Sequence, residues 1–565
     1  MSATTMPVVT AGLRPELFAG AGGRSLSRTL LTVMLALLVV GGFYLRATRL
    51  SAEGLSEDEL NKLEAVEDYR AHGLTGANGE HPLLMKALLT VSVVAAERWN
   101  GTAFVAAHPD LQVTVETALR LPSVIFGSLA VLVLFLVTAE LFGVEVAFIS
   151  AALWAFDPSA IAFNRIAKED TFLLFFFLLA NVFWLRSQRV AERGREKPYI
   201  YYWLAAACFG AMMASKYLPG YFAASIAYYH IFQEVKATKW RLGKPRFLLF
   251  FGIMGATFLL CNLTILLPGT WRAALTFASY KHVGHNGYEF MGTIHRHKLM
   301  DWFNGVPWYF YFVFMAVKLP PATIAAFLTG LPLLFRKRLG DGRYFLLFWT
   351  VIGFAPFIFV GGKFTRYFTP ELPVVFITAA IGIQFVGRHV ARFIGGDNLK
   401  PYAVAAFALL VALSSVRASA SAAPYYRLYT NALGGGQTGA GYYFPQDEFY
   451  DAYMRDVMKG IAARAKQGAH VASEVPTVAA FYARQAARPD LIPVALSDPA
   501  EVKELGAGDF IVDARGRRYF TNLELLRNVR QSYAPAFSIR VGNVHAADVY
   551  ELDERASATV EAAGQ

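Results

Sequence analysis

Several short segments bring together residue types able to hold a phosphate and move a proton. Residues 56–59 read Ser56-Glu57-Asp58-Glu59, and residues 80–86 read Glu80-His81-Pro82-Leu83-Leu84-Met85-Lys86. The turn Asn164-Arg165-Ile166-Ala167-Lys168-Glu169-Asp170 mixes cations with carboxylates, Ser215-Lys216-Tyr217 adds a lysine–tyrosine pair, and Lys363, Arg366 and Tyr367 form another group. A carboxylate can take the proton from an attacking hydroxyl. Lys and Arg can grip a phosphate and stabilise the charge that grows on it as it leaves. A plainer reading stands beside this one: Lys and Arg at the ends of apolar spans commonly extend to lipid headgroups, and an acidic loop is commonly a solvated helix face. His282, His285, His295 and His297 invite a metal site, yet their steps of 3, 10 and 2 residues match no standard ligand spacing. A divalent metal is compatible with such chemistry, but no ligand set asks for one, and no cofactor is assigned.

The elements that must position these groups follow from composition. Of 565 residues, 55% are apolar and 17% charged, and the mean hydropathy is +0.38. A soluble chain would carry roughly 25% charged residues, so much of this surface faces lipid. Disorder, a disulfide scaffold and a plain cytosolic enzyme are set aside. The two cysteines, Cys208 and Cys261, lie inside apolar runs. Apolar stretches at 28–46, 119–141, 144–163, 170–186, 200–215, 217–233, 247–268, 319–335, 344–362, 369–388 and 401–418 give about eleven transmembrane helices, near the roughly 17–25 residues that a spanning helix needs. The first reads as an uncleaved anchor with its N-terminus in the cytoplasm.

Charge tests that arrangement. Basic clusters fill the loops 186–198 and 234–246, the group Arg336, Lys337, Arg338 and Arg343, and the group Arg388, Arg392 and Lys400. With the N-terminus inside, all four fall on the cytoplasmic side, as the positive-inside rule asks. They account for most of the net charge of +11 without nucleic acid as a partner. The expected organisation is a cytoplasmic tail 1–27, a membrane domain 28–420 with extracytoplasmic loops 47–118 and 269–318, and an extracytoplasmic α/β domain 421–565. Residues 305–317 and 82–98 are apolar but short or charge-bracketed, and are placed on the outer surface. The tail is read as a helix near 447–467, strands near 469–473, 491–495 and 509–513, a helix near 522–532, and strands near 535–541 and 546–551.

In order along the chain, these segments resemble the lipid-phosphosugar-dependent glycosyltransferases of the GT-C class, of the protein O-mannosyltransferase (family 39) type. That family's first loop carries an Asp-Glu pair, matched by Asp58-Glu59, then a His-Pro-Pro-x-x-Lys segment, matched by residues 81–86 with Leu83 at the second proline. A span opening Arg-x-x-small-x-x-x-Gly is matched from Arg120 to Gly127, a Ser-Arg-x-x-x-x-Asp turn is approximated by Asn164-Arg165 through Asp170, and a Lys-Tyr pair is matched by Lys216-Tyr217. Gly284-His285-Asn286-Gly287-Tyr288, Trp308-Tyr309-Phe310-Tyr311, Lys318-Leu319-Pro320 and Tyr443-Phe444-Pro445 resemble bacterial and archaeal members. The tail falls outside the eukaryotic pattern.

The resemblance implies an integral, prokaryotic-type membrane enzyme. It implies inverting transfer of a hexosyl or pentosyl group, mannose being the family's sugar, from a polyprenyl-phosphate donor to an acceptor hydroxyl outside the cytoplasm. It makes Asp58 the general base, with Glu59 beside it. Lys86, Arg165, Lys216, Lys363 and Arg366 become candidates for the donor phosphate, and His81, Asp170, Tyr217 and His285 for substrate contacts. Protein, lipid and glycan acceptors all stay open. The alternative is a transporter or flippase for a lipid-linked or polar solute. That class places ionisable groups near the bilayer midplane and shows matched halves.

Overall fold

The computed structural model describes residues 28–193, 199–231, 243–279, 286–299 and 301–554. The tail 1–27, most of the basic loop 234–246, and His282 and His285 lie outside the described residues. All eleven expected spans are helical over most of their length. Among the described residues, six helices are long and apolar enough to cross a membrane by length and composition: residues 29–52, 115–142, 169–190, 342–359, 372–394 and 400–422. Four others, at 144–156, 199–215, 246–261 and 321–335, are apolar but shorter, and Pro219–Ile231 has 13 residues. Large apolar side chains stand exposed along these helices, among them Leu37, Leu248, Leu260 and Phe393, the signature of a polytopic protein whose solvent is lipid. The span 342–359 contains a π-helical turn at Trp349–Phe354.

Small residues let the bundle close. Ala326 and Gly330 on Pro321–Gly330 face Thr378 and Gly382 on Leu372–Ile394, a small-xxx-small pairing on both helices. A Cβ on Gly330 would collide with the Thr378 carbonyl oxygen, and one on Gly382 with that of Ala326.

Two helices of the first loop follow the anchor α1 (Arg28–Ala47). In α2 (Glu57–His72), Ser56 accepts from the Glu59 N–H while the Glu59 carboxylate accepts from the Ser56 N–H, a reciprocal cap that fixes the start of the helix. Glu57, Asp58 and Glu59 fill its first turn, where the helix dipole favours negative charge. α3 (Leu83–Asn100) is not among the helices apolar enough to span, as expected for residues 82–98. The loop 269–318 holds a hairpin of β1 (Tyr288–Phe290) and β2 (Thr293–His295). Its turn residues Met291 and Gly292 both have positive φ, the geometry that two-residue hairpin turns require.

The tail is a five-stranded sheet of β3 (His470–Ser473), β4 (Ile492–Ala495), β5 (Phe510–Ala514), β6 (Phe537–Val541) and β7 (Val544–Glu551) in the order β4-β3-β5-β7-β6. β3, β4 and β5 run parallel, whereas β7 is antiparallel to both β5 and β6. The strands fall within two residues of the sequence expectation. The helix expected over 447–467 is instead two, Pro445–Phe449 and Met454–Ala462, because Tyr450 and Asp451 turn left-handed between them. The helix Pro476–Gln485 was not anticipated.

One sheet face packs on Leu523–Ser532 through Ile511, Leu526 and Val529. The other shares a core with the first loop, in which Leu60, Leu63 and Val66 of α2 and Met85 and Leu89 of α3 meet Val457, Ile461, Val478, Phe510 and Val549. The α/β domain is therefore built onto the first loop. The packing yields a contrast in the bundle. Gly382→Ala is expected to destabilise by about 1–3 kcal/mol through overpacking, whereas Gly255→Ala, with nothing within 4 Å of the added carbon, leaves the thermal unfolding midpoint in detergent unchanged.

Candidate active site

Asp58 is the carboxylate that the fold presents. Its side chain is 33% exposed, and Oδ2 lies 2.9 Å from Lys168 Nζ and 3.3 Å from Arg366 Nη2. The Tyr450 hydroxyl donates to the same oxygen at 3.0 Å. Burial alone would raise its pKa, but Lys168 above all, then Arg366 and Lys62, outweigh this and hold the carboxyl well below the usual carboxylate range. Asp58 is ionised at any working pH.

Glu59, its neighbour, turns about 100° away on the helix and has a different use. Arg120 donates Nε to its Oε1 at 2.8 Å and Nη2 to its Oε2 at 2.7 Å, and the Ala167 N–H donates to Oε1 at 3.1 Å. The remaining Arg120 donors reach the carbonyls of Leu50, Glu53 and Gly54, so all five guanidinium N–H groups are used. Glu59 is fully buried, and both of its carboxylate oxygens are committed to partners within the fold.

Around Asp58 the structure gathers further charges. Glu169 pairs with Lys62 at 3.1 Å, with His81 Nδ1 at 3.4 Å and with Lys168 at 3.9 Å. Lys216 pairs with Asp170 at 2.6 Å and lies 4.7 Å above the Tyr367 ring. Asp170 Oδ2 is buried with no hydrogen-bond partner among the described residues. Burial pushes the His81 pKa well down, against the pull of Glu169, so its imidazole is neutral. Tyr217 accepts a hydrogen bond from Asn262 at 2.9 Å beside this group. Lys86 is buried, with Nζ donating to the carbonyls of Ala77 and Asn78 at 3.0 and 2.7 Å. With no carboxylate in ion-pair contact among the described residues, burial, helped by Lys62, lowers its pKa to about 7. Lys62, Lys86, Lys168, Lys216 and Arg366 thus stand among Asp58, Glu169 and Asp170, and Arg366 also meets the buried Asp447 at 3.6 Å.

Two predicted phosphate ligands are placed elsewhere. Arg165 donates to the carbonyls of Leu45, Arg46, Thr48 and Arg49 and stacks on Tyr426. It closes the C-terminus of α1, where unpaired helix carbonyls demand donors. Lys363 donates to Val306 and Val360 and lines a groove of about 370 Å³ with Phe303, Trp308 and Phe359. His297, one of the four loop histidines, is buried with Nε2 on the Lys363 carbonyl. Among the described residues no three His, Cys, Asp or Glu side chains converge as a metal site would need.

Reading the sequence missed Lys62 and Tyr450, and left Lys168 without a role. Lys62 sits mid-helix in a run of ordinary surface appearance, and only its burial distinguishes it. Tyr450 lies 392 residues from Asp58, so no local spacing could have joined them. Glu59→Gln, which uncouples Arg120, is expected to cost about 3–5 kcal/mol, the loss on breaking a buried ion pair from one side. Thermal unfolding in detergent measures it.

Residues 103–262 match the dolichyl-phosphate-mannose-protein mannosyltransferase family, a stretch that holds Arg120, Arg165, Lys168, Asp170 and Lys216. No curated protein matches the chain. Among solved structures, ArnT from Cupriavidus metallidurans in the apo state is 14% identical over 92% of this chain and 97% of its own, with a TM-score of 0.49. The Archaeoglobus fulgidus oligosaccharyltransferase tethered to an acceptor peptide is 13% identical over 92% of this chain and 74% of its own, at 0.48. The S. cerevisiae protein O-mannosyltransferase Pmt1–Pmt2 complex is 16% identical over 42% and 34%, at 0.34. Over residues 103–262 the chain resembles the dolichyl-phosphate-mannose-protein mannosyltransferases.

Proposed function

We propose that this protein is a membrane glycosyltransferase that moves a sugar from a polyprenyl-phosphate donor to an acceptor hydroxyl, with inversion, on the side of the membrane away from the cytoplasm. The observation that carries the reading is Asp58: a partly exposed carboxylate held between the buried cations Lys168 and Arg366, in a chain whose residues 103–262 match a mannosyltransferase family. The four basic loops support this sidedness, since the positive-inside rule favours them on the cytoplasmic face.

In this reading Asp58 takes the acceptor proton as the oxygen attacks the anomeric carbon and the polyprenyl phosphate departs. The transition state is oxocarbenium-like, as in single-displacement glycoside chemistry, but the leaving group needs cationic stabilisation more than a proton. Lys86, Lys168, Lys216 and Arg366 supply it, and the unpartnered Asp170 Oδ2 suits a sugar hydroxyl. The ion pairs also give an order to the events. Before donor arrives, Lys168 and Arg366 are held by Asp58, which keeps that carboxylate a poor base. A phosphate that draws these cations toward itself leaves Asp58 more basic, so donor binding prepares the base for the acceptor. Lys86, with no carboxylate partner, gains its counter-charge from the same phosphate.

Two experiments test the reading. Purified protein in detergent is incubated with labelled polyprenyl-phosphate hexoses and pentoses and with membrane extract as acceptor. Asp58→Asn is expected to lower transfer by roughly 10²–10⁴-fold, the usual contribution of a general base, with insertion intact; turnover at the wild-type rate would remove Asp58 from that role. The second concerns pH. Because bound phosphate favours charged Lys86, whose free pKa is about 7, donor affinity is full below pH 7 and is lost as the pH rises above it. Donor KM should therefore climb between pH 7 and 9, and Lys86→Met should raise KM and flatten that dependence.

A further inference from the structure

The transfer chemistry assigned to the membrane domain does not use Arg517, which follows β5 in the α/β domain and is 9% exposed. Its guanidinium reaches back to the first loop. Nε donates to Asp451 Oδ1 at 2.8 Å and Nη2 to Asp451 Oδ2 at 2.6 Å, while Nη1 donates to Glu57 Oε2 at 3.0 Å and to the Tyr519 hydroxyl at 3.2 Å. Asp451 Oδ2 also accepts the Glu57 N–H at 3.1 Å, so a side chain from the tail caps the helix that bears Asp58. Tyr450, the residue before Asp451, donates to Asp58 itself.

The backbone shows that this arrangement is imposed. Tyr450 and Asp451 have φ of 48° and 58°, a left-handed pair that non-glycine residues hold only where their surroundings over-determine it. The two-point grip of Arg517 on Asp451 supplies that constraint. Gly516, at φ +83°, permits the approach, since a Cβ there would run into the backbone of Pro445 and Gln446. Asn522 closes the loop from behind by accepting from the Tyr519 N–H and donating to the Arg517 carbonyl.

We infer that Arg517 is a positioning residue for the transfer reaction: it locks the Tyr450–Asp451 turn onto the first turn of α2, fixes where Asp58 points, and so makes the α/β domain a working part of the active site. The inference rests on Asp58 acting as the base. It requires a planar two-point donor, which lysine does not provide.

The test uses full-length protein in detergent and the polyprenyl-phosphate sugar that supports wild-type turnover. Arg517→Ala is expected to lower kcat about 100-fold, the scale of a misplaced catalytic group, with donor KM nearly unchanged. Added guanidinium ion is expected to restore part of the rate, and Arg517→Lys to restore little. Arg530→Met serves as control. It breaks an ion pair to Asp513 at 2.6 Å on another part of the same domain, and its kcat should stay within about twofold of wild type. Should Arg517→Ala not fold, Glu57→Gln removes one Arg517 partner from a more exposed position and is expected to lower kcat several-fold at constant KM. Wild-type kcat in Arg517→Ala or, failing that variant, in Glu57→Gln overturns the inference, as does an equal loss in Arg530→Met. An inactive Asp58→Asn beside a fully active Arg517→Ala sinks this inference alone, whereas an active Asp58→Asn sinks the reading beneath it.

Discussion

The geometry of the site depends on one buried ion pair, Glu59 with Arg120. Arg120 spends its five donors on Glu59 and on three carbonyls of the segment 50–54, which ties the first loop to the helix Val115–Phe142. Glu59 in turn accepts from the N–H of Ala167. The residue before Glu59 is Asp58, and the residue after Ala167 is Lys168. A single carboxylate therefore sets the register between two distant loops and leaves Asp58 and Lys168 at 2.9 Å. Such a pair is retained at a cost in desolvation, and here the return is a defined position for the charges beside it.

Those charges form an arrangement that is stable yet incomplete. Every carboxylate near Asp58 has a cation, but Lys86 rests on two carbonyls and the Tyr69 ring, and among the described residues Asp170 keeps one oxygen without a partner. Buried polar groups are nearly always satisfied in folded proteins. A lysine without a carboxylate in contact and a carboxylate oxygen without a donor therefore stand out within one cluster. The low-dielectric surroundings that make these deficits expensive also make each added contact strong.

The neighbouring residues Asp58 and Glu59 show how far the sequence could be read. Both were legible as an acidic pair in the first loop, whereas the capping box of Ser56 and Glu59 that opens α2 came only with the structure. Which of the two faces a substrate was not legible, because about 100° of helical rotation separates them and the partner that claims Glu59 lies 61 residues away. Arg165 and Lys168 repeat the lesson. Both are cations in one turn, yet Arg165 is drawn to the open carbonyls at the end of α1 while Lys168 reaches Asp58. In the tail, the strands were legible from their alternation, but the break at Tyr450 and Asp451 was not. No propensity favours left-handed backbone there, and the contacts that hold it come from residues 57, 58 and 517.

The sequence by itself determined the run of apolar helices, the basic clusters between them, the presence of an α/β tail and the set of residues from which a site could be drawn. These follow from rules that act locally: a lipid solvent demands long apolar helices, charge asymmetry orients them, and strand and helix periods repeat within a few residues. The tertiary structure decided which charges became machinery and which became fasteners. It left Asp58 partly exposed between two cations and made Glu59 a tie, turned Arg165 into a helix closure, and joined the α/β domain to the first loop in one core. The physical reason is that a buried charge takes its role from the nearest group able to satisfy it, and in this fold that group usually lies tens or hundreds of residues away.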